Sequence, residues 1–232
     1  MGSVDLAKIK RVASTLDLSV LGAGVQKSQI DEILRVAVAT GCATIAINPC
    51  YVKYAAGKMP NGYTRLCSVV GFPFGQNSTA AKIADARQAV DDGAQELDMV
   101  ANVGFFKDGR DAEVRDEIER VVKIAAGRTV KVIIESCHLD KDELARISDL
   151  VATAGANFVK TSSGFNTAGG TLEEVRIMLK AVRGRCGVKI SGLGGGLTFE
   201  QAVQFLDAGA TRIGTRLGCP MMDTIRKAMG VD

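Results

Sequence analysis

With one histidine, no CxxC pair and few aromatic residues, this chain of 232 residues is excluded from several functional classes. A lone His138 rules out a multi-histidine metal site, and no Cys, His, Asp or Glu cluster has metal-ligand spacing. Aromatics make up 5% of the chain and the formal net charge is only +3. Neither a stacking platform nor a basic stripe for nucleic acid is therefore present. No apolar run reaches the ~18 residues of a membrane span. The opening MGSVDLAKIKRVAS holds no apolar stretch of signal-peptide length. The six cysteines, at 42, 50, 67, 137, 186 and 219, read as thiols in a reducing cytosol. What remains is a cytoplasmic protein that handles small molecules, with no nucleic-acid or membrane partner.

The hydrophobic share of 47% supports one large core, and the expectation is a single domain over residues 1–232. Short apolar runs alternate with longer amphipathic stretches. Eight strands are predicted at 15–18, 43–48, 65–71, 96–101, 130–135, 158–161, 187–191 and 212–215. Helices are predicted between them, among others at 28–39, 79–92, 113–126, 141–154, 172–183 and 199–207. The mean repeat is about 29 residues, the size of one β/α unit. Gly41, Gly93, Gly155 and Gly209 stand where helices should close before the next strand. Near-continuous apolar strands such as VKVII at 130–134 belong to parallel sheets covered on both faces. The fold class is therefore α/β, with a closed (β/α)8 TIM barrel first and a doubly wound open sheet second.

A barrel of this kind carries its chemistry at the C-terminal ends of its strands. Three charged residues interrupt apolar strands there: Asp98, Lys160 and Lys189. Unpaired charges are rarely buried, so each needs a partner or a task. A lysine becomes a nucleophile when burial or a second cation lowers its pKa. Lys160 and Lys189 lie on adjacent predicted strands, so one could form an imine while the other keeps it unprotonated and the acid moves protons. The same residues also fit a structural reading, with Lys189 and Asp98 as a buried ion pair and Lys160 facing outward. Lys131, another strand lysine, is read as structural.

The motifs Leu16-Asp17, Asn48-Pro49, VGFPFG at 70–75, ELDMV at 96–100, VKTSSGF at 159–165, GVKISG at 187–192 and AGATRIGT at 208–215 occur in order across nearly the whole chain. Together they resemble the deoxyribose-phosphate aldolase family, most specifically through VKTSSGF followed by VKxSG. The resemblance implies a metal-free, cofactor-free class I aldolase on a TIM barrel, joining acetaldehyde to glyceraldehyde 3-phosphate reversibly. It implies Lys160 as the Schiff-base lysine, Lys189 as the lysine that tunes it and Asp98 as the proton-shuttling acid. Asp17 and Ser19 would shape the polar site, and the hydroxyls of Thr161 and Ser163 would hold water or substrate. A homodimer or homotetramer is in keeping with the family.

This chain departs from the pattern in three places. Ala46 stands where relatives often carry Cys, and Cys50 is displaced and receives no role. The loop after the seventh strand reads SGLGGGLT at 191–198, longer than usual and without the family's Arg. Arg216-Leu217 replaces a serine pair after the eighth. Both loop changes fall where barrels bind phosphate. Gly192, Gly194, Gly195, Gly196, Gly214 and Arg216 are therefore expected to form an anion site. The alternatives are a Schiff-base aldolase acting on another aldehyde, ketone or keto acid, and a non-catalytic barrel that binds a sugar phosphate or a protein partner.

Overall fold

The computed structural model describes residues 5–231. Eight strands, β1 (Leu16–Val20), β2 (Thr44–Ile47), β3 (Arg65–Val70), β4 (Glu96–Val100), β5 (Thr129–Ile133), β6 (Phe158–Lys160), β7 (Gly187–Ile190) and β8 (Arg212–Arg216), lie in sequence order. All pair in parallel, and β8 returns to β1, so the sheet closes into a barrel. The closed sheet is the expected (β/α)8 architecture, and closure removes the edges an open sheet would present. The first strand begins and ends later than predicted, which brings Ser19 into the barrel wall.

The helices form the outer layer: α1 (Leu6–Ala13), α2 (Lys27–Thr40), α3 (Val52–Ala56), α4 (Thr79–Asp91), α5 (Val103–Lys107), α6 (Asp111–Ala125), α7 (Lys141–Thr153), α8 (Leu172–Val182), α9 (Phe199–Asp207) and α10 (Pro220–Met229). Local sequence explains their limits. Capping boxes open α7 (Asp140 and Glu143), α8 (Thr171 and Glu174) and α9 (Thr198 and Gln201), each satisfying otherwise orphaned N–H groups. Gly41 closes α2 in the left-handed conformation at φ 66°, as its position predicted. The sequence pattern did not single out α1, α3, α5 or α10. Two of these are five residues long, too short for a periodic signal to stand out. No described helix is long and apolar enough to cross a membrane.

Strand side chains alternate between two environments. Leu16, Leu18, Ile45, Ile47, Leu97, Met99, Val130, Val132, Val159, Val188, Ile190 and Ile213 pack outward into one apolar layer with the helices. Their neighbours along the same strands, Asp17, Thr44, Glu96, Asp98, Lys131, Lys160 and Lys189, point into the barrel and are buried there. The hydrophobic core is thus a sleeve around the barrel, and the barrel's centre is charged. Each fully buried Leu, Ile or Val in the sleeve contributes about 1.5–3 kcal/mol relative to exposure. That apolar sleeve supports a polar centre that could not hold a fold together by itself.

A further ion pair is buried outside the barrel. Lys82 on α4 donates to Glu117 on α6 at 2.5 Å and to the Val100 carbonyl, at the end of β4, at 2.8 Å. Thr79 donates to the other Glu117 oxygen at 3.1 Å. A Cβ at Gly71 would lie 2.9 Å from the Lys82 stem, so glycine there gives the lysine its passage. Lys82→Met would leave Glu117 buried without its cation, and breaking such a pair costs about 3–5 kcal/mol. Urea unfolding should show a loss of that size, largely recovered in Lys82→Met/Glu117→Leu; no loss in the single variant would show that the pair does not stabilise the fold.

Candidate active site

Parallel pairing places the charged residues side by side. Asp98 lies opposite Lys131, Lys160 opposite Lys189, and Lys189 opposite Arg212. Asp17 lies opposite Thr44 on one side and Gly214 on the other. Because all these side chains turn inward, register alone brings residues far apart in sequence into one cluster.

Asp98 is the hub. Its Oδ2 accepts from Lys160 at 2.7 Å and from Lys189 at 2.8 Å. Its Oδ1 accepts from Lys131 at 2.7 Å and from the Cys67 thiol at 3.2 Å. Lys189 also reaches Asp17 Oδ2 at 2.5 Å, and Lys131 reaches Asp17 at 3.3 Å and Glu96 at 2.6 Å. The first residue of β8, Arg212, closes the network below by donating to Asp17 Oδ1 at 2.5 Å and Glu96 Oε1 at 3.1 Å. Every carboxylate oxygen in the cluster thus has a donor, the condition under which such charges can be buried.

The protonation states differ among the lysines. Burial pulls the Lys160 pKa down, Asp98 opposes it, and the charges of Lys189 and Lys131 lower it further, to about 8 from 10.5. Burial is therefore the largest cause, ahead of the second lysine. Lys131 and Lys189 are also buried, yet the Asp17 and Asp98 carboxylates more than offset this and raise both. Asp98 is held well below the usual carboxylate range: burial raises it, but Lys131, Lys160 and Lys189 outweigh that. Burial, reinforced by Asp98, pushes the Cys67 thiol well up, so it is a neutral donor. Within the cluster, Lys160 is the lysine that combines an accessible titration with a place at the end of its strand.

Above the cluster, at the C-terminal mouth, Ser19, Ser163, Gly192, Gly194, Gly214 and Arg216 line one cavity with Leu21, Phe165 and Leu193. The Ser19 hydroxyl donates to the Thr215 carbonyl at 3.0 Å, and the Ser163 hydroxyl accepts from the Phe165 N–H at 3.1 Å. Arg216 is exposed, within 3.5 Å of the Gly164 carbonyl and 5.9 Å above the Phe165 ring. Two glycines matter through space rather than through their N–H groups. A Cβ at Gly214 would lie 2.5 Å from Ser191 Oγ and 3.3 Å from the Lys189 stem. A Cβ at Gly192, where φ is +79°, would lie 2.6 Å from the Ser162 Cβ.

Three sequence readings need correction. Thr161 is fully buried, and its hydroxyl accepts from the Ser191 N–H at 3.0 Å and donates to the Ser191 carbonyl at 3.2 Å, so it laces β6 to β7 instead of facing substrate. Gly194, Gly195 and Gly196 form a single 3-10 turn, and whereas Gly194 lines the cavity, Gly196 is exposed and lies outside the lining. The reading of Lys160 as an outward-facing lysine is overturned by its contact with Asp98.

The family model of the DeoC/LacD family aldolases matches residues 11–221. The chain belongs to this family. Deoxyribose-phosphate aldolase 1 of Staphylococcus aureus (strain MSSA476) is 44% identical over 196 residues, covering 84% of this chain and 88% of the relative. Among solved structures, an aldolase designated QR15 superposes with a TM-score of 0.86 at 35% identity, covering 93% of this chain and 96% of the other. A deoxyribose phosphate aldolase from Aeropyrum pernix, described as a unique tetrameric structure, gives 0.84 at 29% identity, covering 97% and 93%.

Sequence reasoning missed Lys131, Glu96, Arg212 and Cys67, all members of the buried network. A signal for Lys131 was present. In Leu16-Asp17-Leu18, Leu97-Asp98-Met99, Val130-Lys131-Val132 and Val188-Lys189-Ile190 a charge sits between two large apolar residues. In a strand covered on both faces that pattern places the charge alone on the inner face.

Lys160 should be acylated by acetic anhydride with a midpoint near pH 8, read at its peptide by mass spectrometry. A neutral amine forms as pH rises through the pKa, so reactivity increases on the alkaline side. A midpoint near 10.5 would mean that the cluster does not activate this amine.

Proposed function

We propose that the protein is a class I aldolase, a lyase that cleaves 2-deoxy-D-ribose 5-phosphate reversibly to glyceraldehyde 3-phosphate and acetaldehyde through an imine on Lys160. The observation that carries this reading is a buried strand-end amine, with a pKa lowered to about 8, touching a carboxylate shared with two lysines that stay charged. Relatives bearing the name deoxyribose-phosphate aldolase at 41–44% identity support the substrate.

In this reading the Lys160 amine adds to the aldehyde carbon, and the resulting carbinolamine loses water to give the imine. The proton on the C3 hydroxyl is removed, the C2–C3 bond breaks, and its electrons pass into the imine to leave an enamine. Glyceraldehyde 3-phosphate departs. The enamine carbon takes a proton, and water releases acetaldehyde and the free amine. Asp98 begins as a carboxylate, so it first accepts a proton and then returns it, instead of starting as the acid. The Lys189 ammonium, 2.8 Å from the same oxygen, is placed to supply protons to the carbinolamine oxygen.

The phosphate is assigned to the mouth between Gly192, Gly194 and Arg216, where a guanidinium can offer paired charge-assisted hydrogen bonds. Ser19 and Ser163 line the same cavity and would meet the sugar hydroxyls. This reading takes the chain as one barrel domain working in the cytoplasm as a homodimer or homotetramer. The tetramer described for the Aeropyrum pernix aldolase supports the latter. A different carbonyl substrate is the second reading. It is favoured by the exposure of Arg216, whose guanidinium already rests on the Gly164 carbonyl and Phe165.

Cyanoborohydride with acetaldehyde should fix an ethyl group on Lys160, and Lys160→Ala should lose both the adduct and turnover; an adduct on another lysine would refute the assignment. Asp98→Asn should lower kcat by about 10²–10⁴-fold while still yielding the adduct. Near-normal exchange of donor protons with solvent in that variant would remove Asp98 from proton transfer. Arg216→Ala should raise KM about ten- to hundredfold for a phosphorylated substrate and little for its unphosphorylated analogue, since a hydrogen bond to a charged group contributes roughly 1.5–3 kcal/mol. Equal effects on both would favour the second reading.

A further inference from the structure

The interior of the barrel holds more basic side chains than acidic ones. Its described charged residues are the carboxylates of Asp17, Glu96 and Asp98, and the basic side chains of Lys131, Lys160, Lys189 and Arg212. The remaining strands contribute Thr44 from β2 and the neutral Cys67 thiol from β3. Outside the cluster, Glu135 after β5 accepts the Ser163 N–H, and Arg216 at the end of β8 stands exposed at the mouth. Four basic groups face three acids, so the interior is electrically neutral when one basic group gives up its proton.

Geometry decides which one. Arginine does not deprotonate in proteins. Lys131 touches three carboxylates and Lys189 touches two, whereas Lys160 touches Asp98 alone. The lysine with the fewest anionic partners releases its proton first.

Arg212 and Glu96 sit below this choice without reaching the mouth. Arg212 is the first residue of β8 and its guanidinium lies 5.5 Å from the ring of Phe158, the first residue of β6; Lys160 is the last residue of that strand. Arg212 takes one oxygen of Asp17 and one of Glu96, leaving their other oxygens to Lys189 and Lys131. We propose that Arg212 and Glu96 are positioning residues that set, through Asp17, Lys131 and Lys189, how readily Lys160 gives up its proton. Arg212 supplies the fourth positive charge that makes a free Lys160 amine compatible with a neutral interior. Without it, three lysines face three acids and Lys160 keeps its proton to a higher pH. Without the Glu96 charge the surplus grows and Lys160 loses its proton more readily.

The inference rests on Lys160 being the imine-forming amine, but its test needs no aldol turnover. In the full-length protein, acetic anhydride labelling across a pH series reports the Lys160 midpoint directly. Arg212→Met should move that midpoint up by about one pH unit and Glu96→Gln should move it down by a similar amount, the order expected when one charge is removed from a low-dielectric interior. Arg212→Lys, which keeps the charge, should leave it within a few tenths, and Arg212→Met/Glu96→Gln should return it towards the unmodified protein. Opposite signs and mutual cancellation are effects that a role in holding the barrel floor together would not produce. Where Arg212→Met fails to fold, Glu96→Gln and Arg212→Lys still decide the matter. Midpoints that stay put, or that move in the same direction for the opposite charges, overturn the proposal. Failure of cyanoborohydride trapping at Lys160 would refute the aldolase reading while leaving these titrations interpretable.

Discussion

Three lysines share the Asp98 carboxylate, and the rest of the site depends on that arrangement. A carboxylate with no exposure is stable only if its lone pairs are met, and here Lys131, Lys160, Lys189 and Cys67 meet them. The same contacts make the lysines unequal. Lys131 and Lys189 have further acids and remain ammonium ions, whereas Lys160 has none and sits where burial dominates. One buried acid thus helps create a reactive amine by what it withholds as much as by what it offers.

A polar centre of this size requires apolar support from elsewhere. In this barrel that support comes from the sleeve between strands and helices, where Leu, Ile and Val of alternate strand positions pack. The division lets one strand serve both ends: the outward residues hold the fold, and the inward ones carry charge. It also locates the chemistry. Arg212, at the start of β8, lies at the floor, and Lys160, at the end of β6, lies below the mouth, so the charge network runs along the barrel axis and its upper end meets the cavity lined by Ser19, Ser163 and Arg216.

The mouth shows how a loop of unusual sequence is accommodated. Gly192 and Gly214 are places where a side chain would collide, with Ser162 in one case and with Ser191 and the Lys189 stem in the other. Their value is room for the lysine and for the neighbouring loop. Arg216 is the residue of β8 that presents an exposed charge at the mouth, above the buried lysine cluster.

Much of this was legible in the sequence. Eight apolar runs, glycines such as Gly41 and amphipathic stretches led to the barrel, because parallel strands and their helices each impose a period on the chain. The motifs around Lys160, Lys189 and Asp98 led to the aldolase family. Long-range register was not legible. Lys131 appeared bland because its strand is apolar on both sides, and only pairing with β4 sets it beside Asp98. Arg212 and Glu96 lie 116 residues apart and meet only because the barrel closes. Thr161 matched a site motif, yet tertiary packing turned its hydroxyl onto the Ser191 backbone. The sequence by itself determined which residues carry charge and which strands bear them. The tertiary structure decided how those charges share partners, and a buried group's protonation depends on that sharing because low-dielectric surroundings leave no solvent to supply what a neighbour does not.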